Sequence, residues 1–215
     1  MRRGSKQHAL ALLALTCTSL GALPAANAEP YKWISCQADV DFSYCEKEKR
    51  EPCEGEKRSG LVPIGLDERG GDALVPNNLF HYGPGSGLTP FYPKVVDVAG
   101  AHYISLAQTL NEIRSWEPRG KGEKILGGRL AKGLTFSHQS ITAHGDLMVD
   151  DGKFVSRYNF FLSIERSGNM IFDHGESLTN VRNDGSVATD WVVEIVVKGR
   201  DCRPTKAPKQ TPNRF

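Results

Sequence analysis

The sequence predicts a β-rich α+β domain: a C-terminal antiparallel meander of about four strands, an added N-terminal strand and one amphipathic helix. Three observations carry that expectation. The C-terminal half alternates apolar and polar residues between turn signals, and only His102–Trp116 spaces its apolar residues like a helix. Residues from about 60 to 100 hold so many glycines and prolines that a long irregular loop is expected there.

In chain order, residues 1–28 read as a cleavable secretory signal peptide. Arg2, Arg3 and Lys6 make a positive start, Ala9–Leu23 is uncharged and apolar, and Ala26-Asn27-Ala28 is the small-x-small pattern that a signal peptidase cuts. The apolar run is shorter than the roughly 20 residues of a spanning helix, so no transmembrane segment is expected in the mature chain. Gly4 and Ser5 do not continue Arg2-Arg3 as a twin-arginine signal, and Leu15-Thr16 before Cys17 is a poor lipid-attachment context. An exported protein, periplasmic or secreted, is therefore expected.

Removing the leader changes the charge. The chain has 27 basic and 25 acidic residues, and the leader takes three basic and no acidic ones, leaving 24 against 25. A near-neutral mature protein has no general electrostatic pull on nucleic acid, and no specific nucleic-acid binding is expected. What remains suits a single domain over 29–202 with a flexible basic tail at 203–215.

Four cysteines outside the leader, in an oxidising compartment, predict two disulfides; of the three possible pairings the favoured one is Cys45–Cys53 across a short charged loop with Cys36–Cys202 between the first and last strands. Their Cys-x8-Cys and Cys-x7-Cys spacings lack the tight gap of a structural zinc site, and no metal or other cofactor is expected.

From Tyr31 to Phe42, Ile34, Cys36, Ala38, Val40 and Phe42 share one parity, which predicts a half-exposed strand. Glu46–Arg58 holds five acidic and five basic residues and reads as a solvated loop. The long loop that follows contains Phe80, His81, Tyr82, Phe91 and Tyr92, aromatics suited to packing down or to contact. In the helix, Tyr103, Leu106, Ala107, Leu110 and Ile113 form the apolar stripe, and Pro118 and Gly120 end it. A basic, glycine-containing link leads to strands separated by Asp150-Asp151-Gly152, Ser167-Gly168-Asn169 and Asn183-Asp184-Gly185. Lys153–Arg166 puts Phe154, Tyr158, Phe160, Leu162 and Ile164 on one face, with Val155 and Phe161 as exceptions. Ala188–Lys198 carries Trp191, Val193, Ile195 and Val197 on one face and Val192 and Val196 on the other, so it reads as central and covered on both sides.

The candidates for chemistry are histidines beside carboxylates. His138 and His144 near Asp146 suggest a metal, but six residues of continuous strand would separate the histidines by about 20 Å. The denser cluster is Asp173-His174-Gly175-Glu176-Ser177, after the apolar Met170–Phe172. A histidine with an orienting carboxylate is the material of a general base. Neighbours in a strand point to opposite faces, so Asp173 is a poor partner for His174, and a mate from another strand is expected. The simpler reading is a polar turn. G-x-S-x-G, H-E-x-x-H and P-loop signatures are absent, and Gly83-Pro84-Gly85-Ser86-Gly87 lacks the lysine and helix start of a phosphate loop.

The sequence favours an exported non-catalytic binding or accessory protein, contacting an envelope protein, a peptide or a cell-wall component. A small secreted hydrolase using His174 with Glu176, or His144 with Asp146, is the alternative. Contact between the basic tail and an anionic surface is a further option.

Overall fold

The computed structural model describes residues 31–46, 53–80, 95–118, 120, 122–182 and 184–209. The expected leader, His81 and the last six residues of the tail lie outside them.

The expected α+β domain with a four-strand meander is overturned. The fold is mainly β: among the described residues ten strands form a single antiparallel sheet in the order β4-β5-β3-β2-β1-β10-β9-β8-β7-β6. The strands are β1 (Lys32–Glu46), β2 (Glu54–Asp67), β3 (Asp72–Pro76), β4 (Val95–Val98), β5 (Ala101–Ser105), β6 (Lys124–Phe136), β7 (Ser140–Asp150), β8 (Phe154–Glu165), β9 (Met170–Val181) and β10 (Val187–Thr205). One helix, α1 (Leu106–Ser115), separates β5 from β6. It touches β3 and β5 near one end of the sheet and β6 and β7 at the other. A sheet whose two ends meet one helix is curled, and the molecule is a half-barrel with α1 inside the curl.

The corrections share a cause: turn-forming residues punctuate strands as well as replace them. Much of the expected irregular loop is β2, β3 and β4. Pro63 is tolerated in β2 because it pairs with Ser35 of β1 on one side, whereas β3 joins the other side only from Gly65 onward. Glu54–Arg58, expected in a solvated loop, begins the same strand. The glycine-containing basic link is the edge strand β6, whose register slips three times against β7 and whose Gly128 has φ of 69°. Such bulges discourage further pairing at an edge. The helix is shorter than His102–Trp116 because residues up to Ser105 belong to β5. The expected flexible tail contributes Arg203–Thr205 to β10, and Ala207 packs against a small buried cluster that includes Trp33.

A buried carboxylate fixes the start of α1. Ser105 caps the helix by accepting from the Gln108 amide at 3.2 Å and donates its hydroxyl to Asp72 Oδ2 at 2.8 Å. The same carboxylate accepts from the amides of Ala73 (2.7 Å) and Ala107 (2.9 Å) and from the Tyr31 hydroxyl (2.8 Å). Negative charge at a helix N-terminus meets the unpaired amides and the positive end of the dipole. Leu106, Thr109, Leu110 and Ile113 then face the sheet. They sit close to it because β7 has a glycine beneath them: a Cβ on Gly145 would lie 2.7 Å from Ile113 Cδ1 and 2.6 Å from Phe160 Cε1. At its other end α1 reaches the sheet edge, where Arg114 donates from Nε and Nη2 to the Ala131 carbonyl at 3.1 and 3.0 Å.

Inside the curl lies the main core. Alternate residues of the central strands fill it, among them Ala38, Val40, Val62, Ile64, Tyr158, Phe160, Leu162, Phe172, Ile195 and Val197. Phe80 packs edge-on against Phe160 and Phe172, with ring centroids 5.9 and 5.2 Å apart. Full burial of each such side chain contributes about 1.5–3 kcal/mol. A smaller cluster around Trp33, Leu74, Val98, Ala101 and Tyr103 holds the β3–β5 corner. The disulfide Cys36–Cys202 ties β1 to β10, and Cys45–Cys53 joins the facing ends of β1 and β2. Each cross-link of this kind stabilises by about 2–4 kcal/mol.

Candidate functional site

The five residues Asp173-His174-Gly175-Glu176-Ser177 are not a turn. They occupy the middle of β9, between β8 and β10, where they pair residue by residue with Phe161–Arg157 and with Val196–Val192. The pleat divides them: His174 and Glu176 point into the core, and Asp173, Gly175 and Ser177 point outward.

On the inner side, His174 Nε2 lies 2.9 Å from Glu176 Oε1, and Nδ1 lies 2.9 Å from the Asn159 carbonyl oxygen. The structure thus brings together the expected pair of His174 with Glu176; the mate lies two residues along the same strand, where one from another strand was also expected. Residues i and i+2 share a face, and that spacing is visible in the sequence. The bonds constrain the protons. A carbonyl can only accept, so Nδ1 carries a hydrogen. Nε2, the other ring nitrogen, faces the Glu176 carboxyl group.

This pair is buried. His174 has no exposed surface and Glu176 is 6% exposed. Phe80 and Tyr158 lie against the imidazole with ring centroids at 4.9 Å, and Phe172 stacks at 6.5 Å. Tyr158 faces Glu176 across the ladder. Burial, and secondarily the Glu176 charge, hold the Tyr158 phenol well above its ordinary pKa. Among the described residues no serine, threonine or cysteine is bonded to the pair.

The second expected pair is not formed. His144 and Asp146 share the outer face of β7, but Arg157 donates to both Asp146 oxygens at 3.1 Å and raises its own pKa in doing so. The His144 ring instead sits edge-on to Phe161, centroids 6.3 Å apart. His138 lies in the exposed turn between β6 and β7. Among the described residues no group of three or more His, Cys, Asp and Glu side chains is placed to hold a metal ion.

The outer side of β9 forms a cleft of about 260 Å³. Gly175 is its floor, lying between Asn159 and Glu194 in one row across the three strands. Arg157 and Ser177 line one side, Asp173 the other, and Val192 and Val196 form the β10 wall. The cleft exists because position 175 lacks a side chain: a Cβ there would meet Asn159 Oδ1 at 2.5 Å. Beside it Phe161 is 40% and Ile171 48% exposed. The expectation that β10 is covered on both sides is thus half corrected. β10 is central, yet Val192 and Val196 remain partly open to solvent on the outer face. Of the outward residues, Asp173 and Ser177 stood out in the sequence only as members of the 173–177 cluster and Glu194 not at all, although period-two parity through 173–177 separates Asp173 and Ser177 from His174 and Glu176.

No family model, no curated protein and no solved structure matches this chain. Among the described residues no helix is long and apolar enough to cross a membrane. Two disulfides fit an oxidising, exported environment.

Proposed function

We propose that this is an exported, non-catalytic binding or accessory protein of the cell envelope or extracellular space, acting through the outer face of β8–β10. The carrying observation is the contrast across β9. The histidine–carboxylate pair that chemistry would need is closed into the core, while the opposite face keeps apolar side chains in water beside a polar cleft. A one-sided antiparallel sheet ordinarily turns polar residues outward. Export is supported by the leader-like residues 1–28 and by the disulfides.

Capture from an envelope extract with the wild-type protein and with a Phe161→Lys, Val196→Lys variant tests this reading. A partner retained by the first and lost by the second is expected, and equal recovery by both removes the outer face from the function. The hydrolase alternative has the 2.9 Å His174–Glu176 contact in its favour. It requires turnover of an ester or amide that disappears in His174→Gln.

A further inference from the structure

We infer that the occupant of the outer cleft is a basic, leucine-rich or similarly apolar segment of a partner protein, with one arginine or lysine seated over Gly175 between Asp173 and Glu194. This rests on the binding-protein reading and adds the chemistry of the partner.

Charge complementarity is the first argument. Three other outward carboxylates of the sheet have internal counter-charges: Asp39 pairs with Arg200 at 2.9 Å, Asp41 with Lys57 at 2.9 Å and Asp146 with Arg157 at 3.1 Å. Asp173 and Glu194 have no ion pair among the described residues, and they flank the same glycine. Glu194 stands directly across from Gly175, about 5 Å away between Cβ positions, and Asp173 lies two residues along, about 7 Å off. The cation nearest within the cleft, Arg157, is already held by Asp146. Lys198 lies a row farther on, beside Ile171.

The walls specify what carries the cation. Phe161, Asp173 and Val196 lie in one row and Ile171 in the next, so the free carboxylate is framed by apolar side chains. A methylene stem on Val192 and Val196 with its charged head between two carboxylates satisfies both surfaces. Arginine and lysine have that shape, and exposed apolar patches of this kind mark protein contacts. Nucleic acid and anionic lipid present phosphates, which these carboxylates repel.

The probe is a fluorescein-labelled peptide alternating arginine and leucine, compared by anisotropy at physiological salt with arginine–serine and glutamate–leucine peptides of equal length. Saturable binding of the first alone is expected, weakened about tenfold or more by Asp173→Asn with Glu194→Gln. Gly175→Ala, which presses on the flexible end of Asn159, should weaken it as well, and Glu112→Gln on the exposed helix face should leave it unchanged. Circular dichroism spectra of all variants should superimpose on the wild type.

Several results overturn the inference: no binding, equal binding of the arginine–serine peptide, equal loss in Glu112→Gln, full displacement by free spermidine, or a dimer that Phe161→Lys dissociates. If no basic peptide binds yet the Phe161→Lys, Val196→Lys variant still loses its envelope partner, the partner chemistry falls and the binding-protein reading stands. Equal capture by both proteins in that assay overturns both.

Discussion

The two faces of β9 put similar residues to opposite uses. On the inner face His174 and Glu176 bond each other within a shell of aromatic rings, and their chemistry is spent on packing. On the outer face Asp173 and, across from Gly175, Glu194 stand in water with no internal counter-ion among the described residues. Alternate positions of one pentapeptide thus belong to the core and to the surface. A histidine beside a carboxylate marks a reactive site only where a substrate can reach it, and here the accessible side of the strand is the one with neither histidine nor nucleophilic dyad.

Breaking the inner pair should give the largest effect. His174→Ala leaves Glu176 buried without its partner and should cost about 3–5 kcal/mol in urea unfolding. The double change His174→Leu, Glu176→Leu should recover most of that, because no unpaired charge is left behind. A double variant as unstable as the single would show that the pair itself, and not the penalty of orphaning one member, holds the core together. Next in size, Cys36→Ser with Cys202→Ser should lower stability by about 2–4 kcal/mol, read as a fall in the urea midpoint.

Alkaline titration sharpens the contrast between inside and outside. Burial lifts the Tyr103 phenol to about 12, and burial together with the Asp72 carboxylate raises that of Tyr31. Tyr158 is raised by burial and the Glu176 charge. All three folded-state values lie above an unfolded value of about 10. The unfolded chain therefore loses these protons first: stability is complete below about pH 10 and falls as pH rises toward the folded values. Tyr158→Phe should flatten that fall, followed by the ellipticity and tyrosinate absorbance of the protein.

The outer face should give the smallest stability effects. Phe161→Ser and Glu194→Gln should each change folding stability by no more than about 0.5 kcal/mol, whatever they do to binding. At acid pH the exposed carboxylates of Asp39, Asp150 and Glu165 are held below their ordinary pKa by hydrogen bonds from Ser59, from the Gly152 amide and from Asn169 respectively. Their contribution is present above the unfolded carboxylate range and is lost as pH falls through the lowered folded values. A shallow acid limb, further flattened by Asn169→Ala, is expected in the unfolding midpoint.

Much of the architecture was hidden by composition. Gly60–Leu66 reads as the start of an irregular stretch, yet Val62, Ile64 and Leu66 keep strict alternation and are buried. Pro63 obscures the strand, although β3 pairs with β2 only from Gly65 onward. The site was partly legible. The residues of Asp173–Ser177 stood out by type, but reading them as a turn concealed the alternation that assigns each to a face. Asp72 was not singled out at all, because its partners Tyr31, Ser105 and Ala107 are distant in sequence.

The sequence by itself determined the local features of the C-terminal half: period-two strands and hairpin turns at Asp150-Asp151-Gly152, Ser167-Gly168-Asn169 and around Asp184-Gly185, where the chain folds back through hydrogen bonds spanning a few residues. The expected Cys36–Cys202 bond already tied the first strand to the last, but only the tertiary structure decided that β1 and β10 pair at the centre of one sheet, that the sheet curls round α1, and which side of β9 faces inward. Alternation creates two faces but assigns neither to the core. Curvature and the aromatic residues of neighbouring strands and of Phe80 make that choice, burying His174 with Glu176 and leaving Asp173, Gly175 and Glu194 open to a partner.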